Sequence, residues 1–254
     1  MKKNMYYRAV IRRHYAIDEA ILNFFLAFSS LPKLLLEVFI RKNMGERYFS
    51  LTAGLGMAFI LGILPLMYDG AMSRFFNGYS SETFQLKFAS WYVFLVAFLF
   101  MCFRRYEEIQ RLPSVFDFGR FSLSTGEVFP QFFEFEIGGK KPDIRLIETL
   151  LEPGACALIG LPLMWLGQPI GTVIFVSSIF YSLSYMGAYR QGDHFIMDKI
   201  DEMICNEEMV DSFVEGRDAS QTRGVSFYGR RPADPETRRK LVDSFIEEDV
   251  VEAL

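Results

Sequence analysis

The fold class predicted for this chain is an all-α integral membrane protein. It has four transmembrane helices, a small β-containing cytoplasmic insert and amphipathic terminal helices. Three observations predict it. Mean hydropathy is positive, +0.16, with 51% hydrophobic and 23% charged residues. Three long runs carry no formal charge. All but two of the 27 Lys and Arg fall on the side of a bilayer that those runs define as one compartment. The composition excludes disorder, a disulfide scaffold and a collagen-like fibre. A formal charge of −4 and a pI near 5.4 give no basic field, so no direct nucleic-acid contact is expected.

Residues 1–47 are read as a cytoplasmic N-terminal region. From Tyr15 to Ile40, apolar residues recur at three- and four-residue steps (Ile17, Ile21, Phe24, Phe28, Leu31, Leu35, Val38). That pattern is an amphipathic helix, bent at Pro32. With Arg12, Arg13, Arg41 and Lys42 at its ends, it suits the headgroup plane of an anionic leaflet, with Phe24 and Phe28 turned to lipid. Packing on the protein's own spans is the alternative. Asp18, Glu19, Lys33 and Glu37 interrupt the stretch, so no cleavable signal peptide is expected.

A bilayer core about 30 Å thick needs roughly 20 apolar helical residues. The 48–103 region supplies two such spans, 48–68 and 84–103. The second borrows Phe84 and Leu86 beyond Lys87, whose amine can snorkel. The third run, Gly154 to Tyr189, would reach about 54 Å as a single helix and must fold back. Gly167-Gln168-Pro169 is the predicted break, giving spans 144–166 and 168–189 within the 144–189 region. A re-entrant loop is the competing reading. Only Arg74 and Lys87 then face outward, which places both termini inside. Trp91 with Tyr92, and Tyr48 with Tyr68, fall at span ends where interfacial aromatics belong.

The cytoplasmic insert, residues 104–143, is punctuated by Gly, Ser and Pro. Phe133, Phe135 and Ile137 alternate with Glu134 and Glu136 as in a strand. Residues 190–215 read as an amphipathic helix. Residues 216–254 read as a flexible tether and a C-terminal helix opened by Asp234-Pro235-Glu236. The stripe Leu241, Phe245, Ile246 and Val250 on that helix is the candidate partner-docking face.

No motif for chemistry emerges: there is no phosphate loop, HExxH, GxSxG or CxxC. His14 and His194 are the only histidines, and Cys102, Cys156 and Cys205 are scattered. No cofactor, metal site or catalytic residue is expected. Within the uncharged runs there is no Asp, Glu, Lys, Arg or His, which weighs against pumps and intramembrane proteases. Ser50, Gly54, Ala58 and Gly62 form a small-residue stripe for helix packing, within the bundle or between copies in a homo-oligomer. Tyr181, Tyr185 and Tyr189 form an i,i+4 ladder whose hydroxyls need partners.

The functional expectation is a non-catalytic scaffold or accessory subunit of a membrane-bound assembly at a bacterial inner membrane, such as a secretion or DNA-transfer machine. Its partners would be the bilayer and other, mainly cytoplasmic, protein subunits. A homo-oligomeric channel or small-solute carrier lined by Thr172, Ser177, Ser178, Ser182 and Ser184 is the alternative. An interfacial lipid-acting enzyme using Asp193 and His194 is third.

Overall fold

The computed structural model describes residues 2–12, 16–75, 82–110, 121–136 and 138–248. The chain is almost wholly helical: α1 (Ala16–Ile40), α2 (Leu51–Phe75), α3 (Glu82–Ile109), the one-turn α4 (Gln131–Glu134), α5 (Ile144–Leu146), α6 (Glu152–Trp165), α7 (Pro169–Met209) and α8 (Pro235–Phe245). A π-helical stretch, Ile147–Leu151, joins α5 to α6, and another, Val210–Glu215, follows α7. Two three-residue strands, β1 (Lys2–Asn4) and β2 (Ile246–Glu248), pair antiparallel. The chain divides into two units, Ile21–Tyr189 and Met1–Ala20 with Arg190–Leu254.

Among the described residues, five helical stretches are long and apolar enough to cross a membrane: Ile17–Ile40, Leu51–Tyr68, Lys87–Ile109, Ile144–Trp165 and Pro169–Glu215. The last four overlap the stretches 48–68, 84–103, 144–166 and 168–189 read as spans from the sequence. The first is the stretch read as an interfacial helix, and its length and composition also qualify it as a span.

In the unit Ile21–Tyr189, α2 and α3 form a hairpin. Gly54 lets them approach closely: a Cβ there would lie 2.9 Å from Cys102 Sγ. Trp91 fills the seam and donates from Nε1 to the Leu61 carbonyl at 2.8 Å, which satisfies its one donor inside an apolar core. Leu34, Leu35, Leu36 and Val38 of α1 join Phe88, Leu95 and Phe98 in that core. The second hairpin breaks where Gly and Pro place it. α6 ends at Trp165, Gly167 adopts φ +72° and Pro169 opens α7. Gly171 is the tightest point, since a Cβ there would lie 2.2 Å from Met164 N.

Residues 121–127 pair with the loop between α1 and α2. Ser124 and Ser122 carbonyls accept from Gly45 and Arg47 N–H at 2.8 and 2.9 Å, and Glu127 N–H donates to the Lys42 carbonyl at 2.8 Å. A Cβ at Gly45 would meet Ser122 O at 2.2 Å, so the contact needs glycine. The strand expected over Phe133–Ile137 is not seen. Pro130, with helical φ −56°, starts a turn in which Phe132 and Phe133 N–H groups bond back to the Phe129 and Pro130 carbonyls. Residues so committed cannot pair as a strand, and Ile137 lies outside the described residues.

The second unit is built from both ends of the chain. Tyr6 stacks on Phe227 at 4.5 Å between ring centroids, and Phe213 packs against Phe227 and Phe245 at 4.3 and 5.8 Å. Tyr6 OH donates to the Tyr228 carbonyl and accepts from its N–H. The 216–231 segment, expected to be a flexible tether, is therefore anchored: Val225 and Phe227 pack against the Tyr6 cluster, and the Tyr228 backbone bonds the Tyr6 hydroxyl. Arg223 adds ion pairs to Glu207 and Glu208. Asp234 caps α8 as its sequence implies, accepting from Thr237 N–H at 2.9 Å.

Glu202 lies under the N-terminal segment, 2.8 Å from both Arg8 and Lys199, and accepts the Asn4 N–H. From Arg190 onward α7 carries charged residues that are costly in hydrocarbon. Burial alone would raise the Glu202 pKa, but Lys199, Arg8 and the Asn4 amide outweigh it and hold the carboxyl at about 2. A depressed folded pKa stabilises the fold fully above the ordinary value of 4.5 and loses that contribution as pH falls toward about 2. Hydrogen exchange at the Asn4 and Tyr7 amides, corrected for intrinsic rates, should therefore accelerate between about pH 5 and about pH 3. Glu202→Gln should remove that pH dependence; an unchanged profile in the variant would assign the acceleration elsewhere.

Candidate functional site

Three series of period four meet in the unit Ile21–Tyr189: Lys33, Glu37 and Arg41 running from α1, Glu148 and Glu152 across the π-helical stretch into α6, and Tyr181, Tyr185 and Tyr189 on α7. Residues four apart share a helix face, so each series is a ladder. Every tyrosine hydroxyl reaches a carboxylate. Tyr181 donates to Glu152 Oε2 at 2.7 Å, Tyr185 to Glu37 Oε1 at 2.9 Å and Tyr189 to Glu148 Oε2. Tyr48, just before α2, lies 3.0 and 2.9 Å from the two Glu37 oxygens.

Arg41 sits at the centre, 0% exposed. Its Nη2 touches Glu152 Oε2 and lies 3.0 Å from Glu148 Oε1. Nε donates to Glu152 Oε2 and to the Tyr181 hydroxyl, and Nη1 reaches Thr125 Oγ1 of the insert at 3.0 Å. The guanidinium carbon is 4.6 Å from the Tyr185 ring centroid. Lys33 Nζ, 3.3 Å from Glu37, lies 4.1 Å from the centroid of the same ring. The planar fork of arginine is suited to holding two carboxylates at once.

The Glu152 carboxylate is used on one side only. Three donors converge on Oε2, whereas buried Oε1 has no hydrogen-bond partner. A second arginine, Arg105, bonds the Val38 carbonyl near the end of α1 at 3.0 Å and pairs with Glu108 at 2.6 Å. Buried charge is tolerated only when paired and hydrogen-bonded, and here the pairing joins α1, α6, α7 and the insert. Chemically the cluster is a polar lock whose acids, phenols and guanidinium are committed to one another.

Arg41, expected in the headgroup plane, is enclosed within the protein, where four acceptors from other elements, Glu148, Glu152, Tyr181 and Thr125, hold the guanidinium. The cluster also brings ionisable groups into the bundle. The uncharged runs are free of them, but the helices extend beyond those runs and bring Glu37 and Glu152 inside. The shared period of four in the Lys/Glu/Arg, Glu/Glu and Tyr series was the available sequence signal. Lys42 is exposed and bridges to Glu127, and Arg12 pairs with Asp198 at 3.0 Å. Phe24 and Phe28 are exposed, and Arg13 lies outside the described residues.

Along the small-residue stripe, Gly54 and Ala58 pack at the α2–α3 seam, Ser50 is exposed and Gly62 faces open space. Leu241 and Phe245 pack against the chain's own Tyr6 cluster, which fills the face expected to dock a partner. Ile246 belongs to β2, and Val250 lies outside the described residues.

Fold and cluster together define a multi-pass helical architecture, with helices long and apolar enough to span a bilayer and a buried polar lock at one end of the bundle. No family model matches the chain, and neither a curated protein nor a solved structure does.

Proposed function

We propose that the protein is a non-catalytic scaffold or accessory subunit of a membrane-bound assembly, crossing the bilayer four times with both ends inside. A bacterial inner membrane and a secretion or DNA-transfer machine are the setting we favour. The observation that carries this reading is the unit folded from both chain ends, with β1 paired to β2 and Tyr6 packed on Phe227. Ends that fold together share one side of the membrane, so the number of crossings is even.

Helix α1 is then the element that does not cross. Between Leu22 and Arg41 it covers about 28 Å of its own length. Its partners on α7 run only from Phe180 to Gly187, about 10 Å. So short a stretch of α7 for so long a helix suits an element lying across the bundle in the interface. The α6–α7 turn supports a full crossing over a re-entrant loop, because Ser90 donates to Gln168 at 2.6 Å, three residues from the Lys87 end of the uncharged run in α3. The Lys and Arg asymmetry sets the direction.

The unit carrying the chain ends offers exposed Ile196, Ile200, Met203 and Val210 at helical spacing, an apolar face for partner subunits. Two of the five hydroxyls named for a solute path bond backbone carbonyls: Ser178 that of Phe175 and Ser182 that of Thr149. Purification of the tagged protein in a gentle detergent should recover stoichiometric partner proteins. Recovery of the chain alone, with robust solute flux after reconstitution into liposomes, would overturn the scaffold in favour of a channel.

A further inference from the structure

The insert between α3 and α5 carries a set of large apolar side chains that the bundle leaves uncovered. Phe121 and Phe135 are 70% and 60% exposed, and Leu123 and Phe133 are exposed as well. Soluble surfaces seldom group such residues without a partner. The insert is nevertheless held firmly. Its Ser122, Ser124 and Glu127 backbone groups bond the loop after α1, and Thr125 accepts from buried Arg41. These contacts fix it at the end of the bundle where the charged lock lies, which the Lys and Arg asymmetry assigns to the inner interface.

Helix α4 packs beside the Ile147–Leu151 stretch. There Leu146 and Leu150 are exposed at the start of the third span, in the position of residues that meet lipid. The exposed apolar residues at the start of the span thus adjoin those of the insert, whose α4 packs beside Ile147–Leu151. Glu134 and Glu136, exposed beside Phe133 and Phe135, supply the water-facing partners that an element lying at a boundary needs.

We propose that residues 121–136 form a membrane-interface collar whose phenylalanines enter the acyl–headgroup boundary of the bilayer around the bundle. Lipid is favoured over a second copy or a partner protein because these side chains adjoin the exposed apolar residues at the start of the span itself. The collar couples lipid contact to the polar lock through Thr125 and Arg41. The proposal rests on the reading that the helices lie in a bilayer, and its test separates the two.

The test uses the full chain in nanodiscs of zwitterionic and anionic phospholipid. Nitroxide labels are placed one at a time by Phe121→Cys, Phe135→Cys, Glu134→Cys and Glu136→Cys, and by Val96→Cys on α3, where the native residue is 68% exposed. The native cysteines are buried. Each label is scored for collision with oxygen, which concentrates in lipid, and with a nickel chelate, which stays in water. The expected result is oxygen exceeding nickel at positions 96, 121 and 135, and the reverse at 134 and 136. Oxygen preference at 96 with nickel preference at 121 and 135 would overturn the collar alone. Protection of 121 and 135 from both reagents would assign the surface to protein, with dipolar broadening between labels marking a second copy. Nickel preference at 96 would overturn the membrane reading itself.

Discussion

Replacing Arg41 by methionine is expected to lower the apparent melting temperature in mild detergent by roughly 10 °C, from a loss of about 3–5 kcal/mol. The variant leaves Glu152 and Glu148 without the guanidinium that holds both, and buried carboxylates deprived of their partner cost far more than the pair ever gained. Arg41→Lys should recover little, since a single ammonium cannot reach Glu148, Glu152, Tyr181 and Thr125 together. Removing the charge from both sides is different. Arg41→Met combined with Glu152→Leu should melt well above Arg41→Met alone, because the stranded carboxylate has gone. Fluorescence-detected size-exclusion after heating reads all three, and a single variant melting within a degree or two of the parent would show that the cluster does not hold the helices together.

The second large effect is expected at Gly171. A Cβ there would lie 2.2 Å from Met164 N, 2.6 Å from Leu163 C and 2.7 Å from Gly160 O. All three are backbone atoms, so no side chain can move aside, and the α6–α7 hairpin must splay. Gly171→Val should cost about 3 kcal/mol or more, seen as loss of the monodisperse species on size-exclusion. Gly62→Val is the matched control. It sits in the middle of α2 where nothing lies within 4 Å of the new Cβ, and it should change stability by less than about 0.5 kcal/mol. Equal behaviour of the two variants would mean that the hairpin is not packed as closely as its glycines allow.

These two sites differ in how far the sequence reveals them. Gly167, Gln168 and Pro169 mark the hairpin turn directly, because Gly supports the positive φ and Pro opens the next helix. The consequence for Gly171, backbone against backbone, needs the helices in place. The Tyr181, Tyr185 and Tyr189 ladder is legible as a face with hydroxyls to satisfy, but nothing local says that three carboxylates from two separate segments answer it. Arg41 shows the same limit. By sequence it is a basic residue at the end of an amphipathic helix, and by position it is the most enclosed cation of the bundle.

Uncharged run length, the Gly-Pro break and the Asp234 cap are properties of neighbouring residues, and they already dictate where helices begin and end. Glu37, Arg41, Glu148 and Glu152 meet only because α1, α6 and α7 pack together, and the tail is held only because Phe227 finds Tyr6 more than 200 residues away. Local free energies of helix formation and transfer to lipid act residue by residue along the chain. The pairing of buried charges depends on which side chains are brought within hydrogen-bond reach, and that is a property of the packed helices.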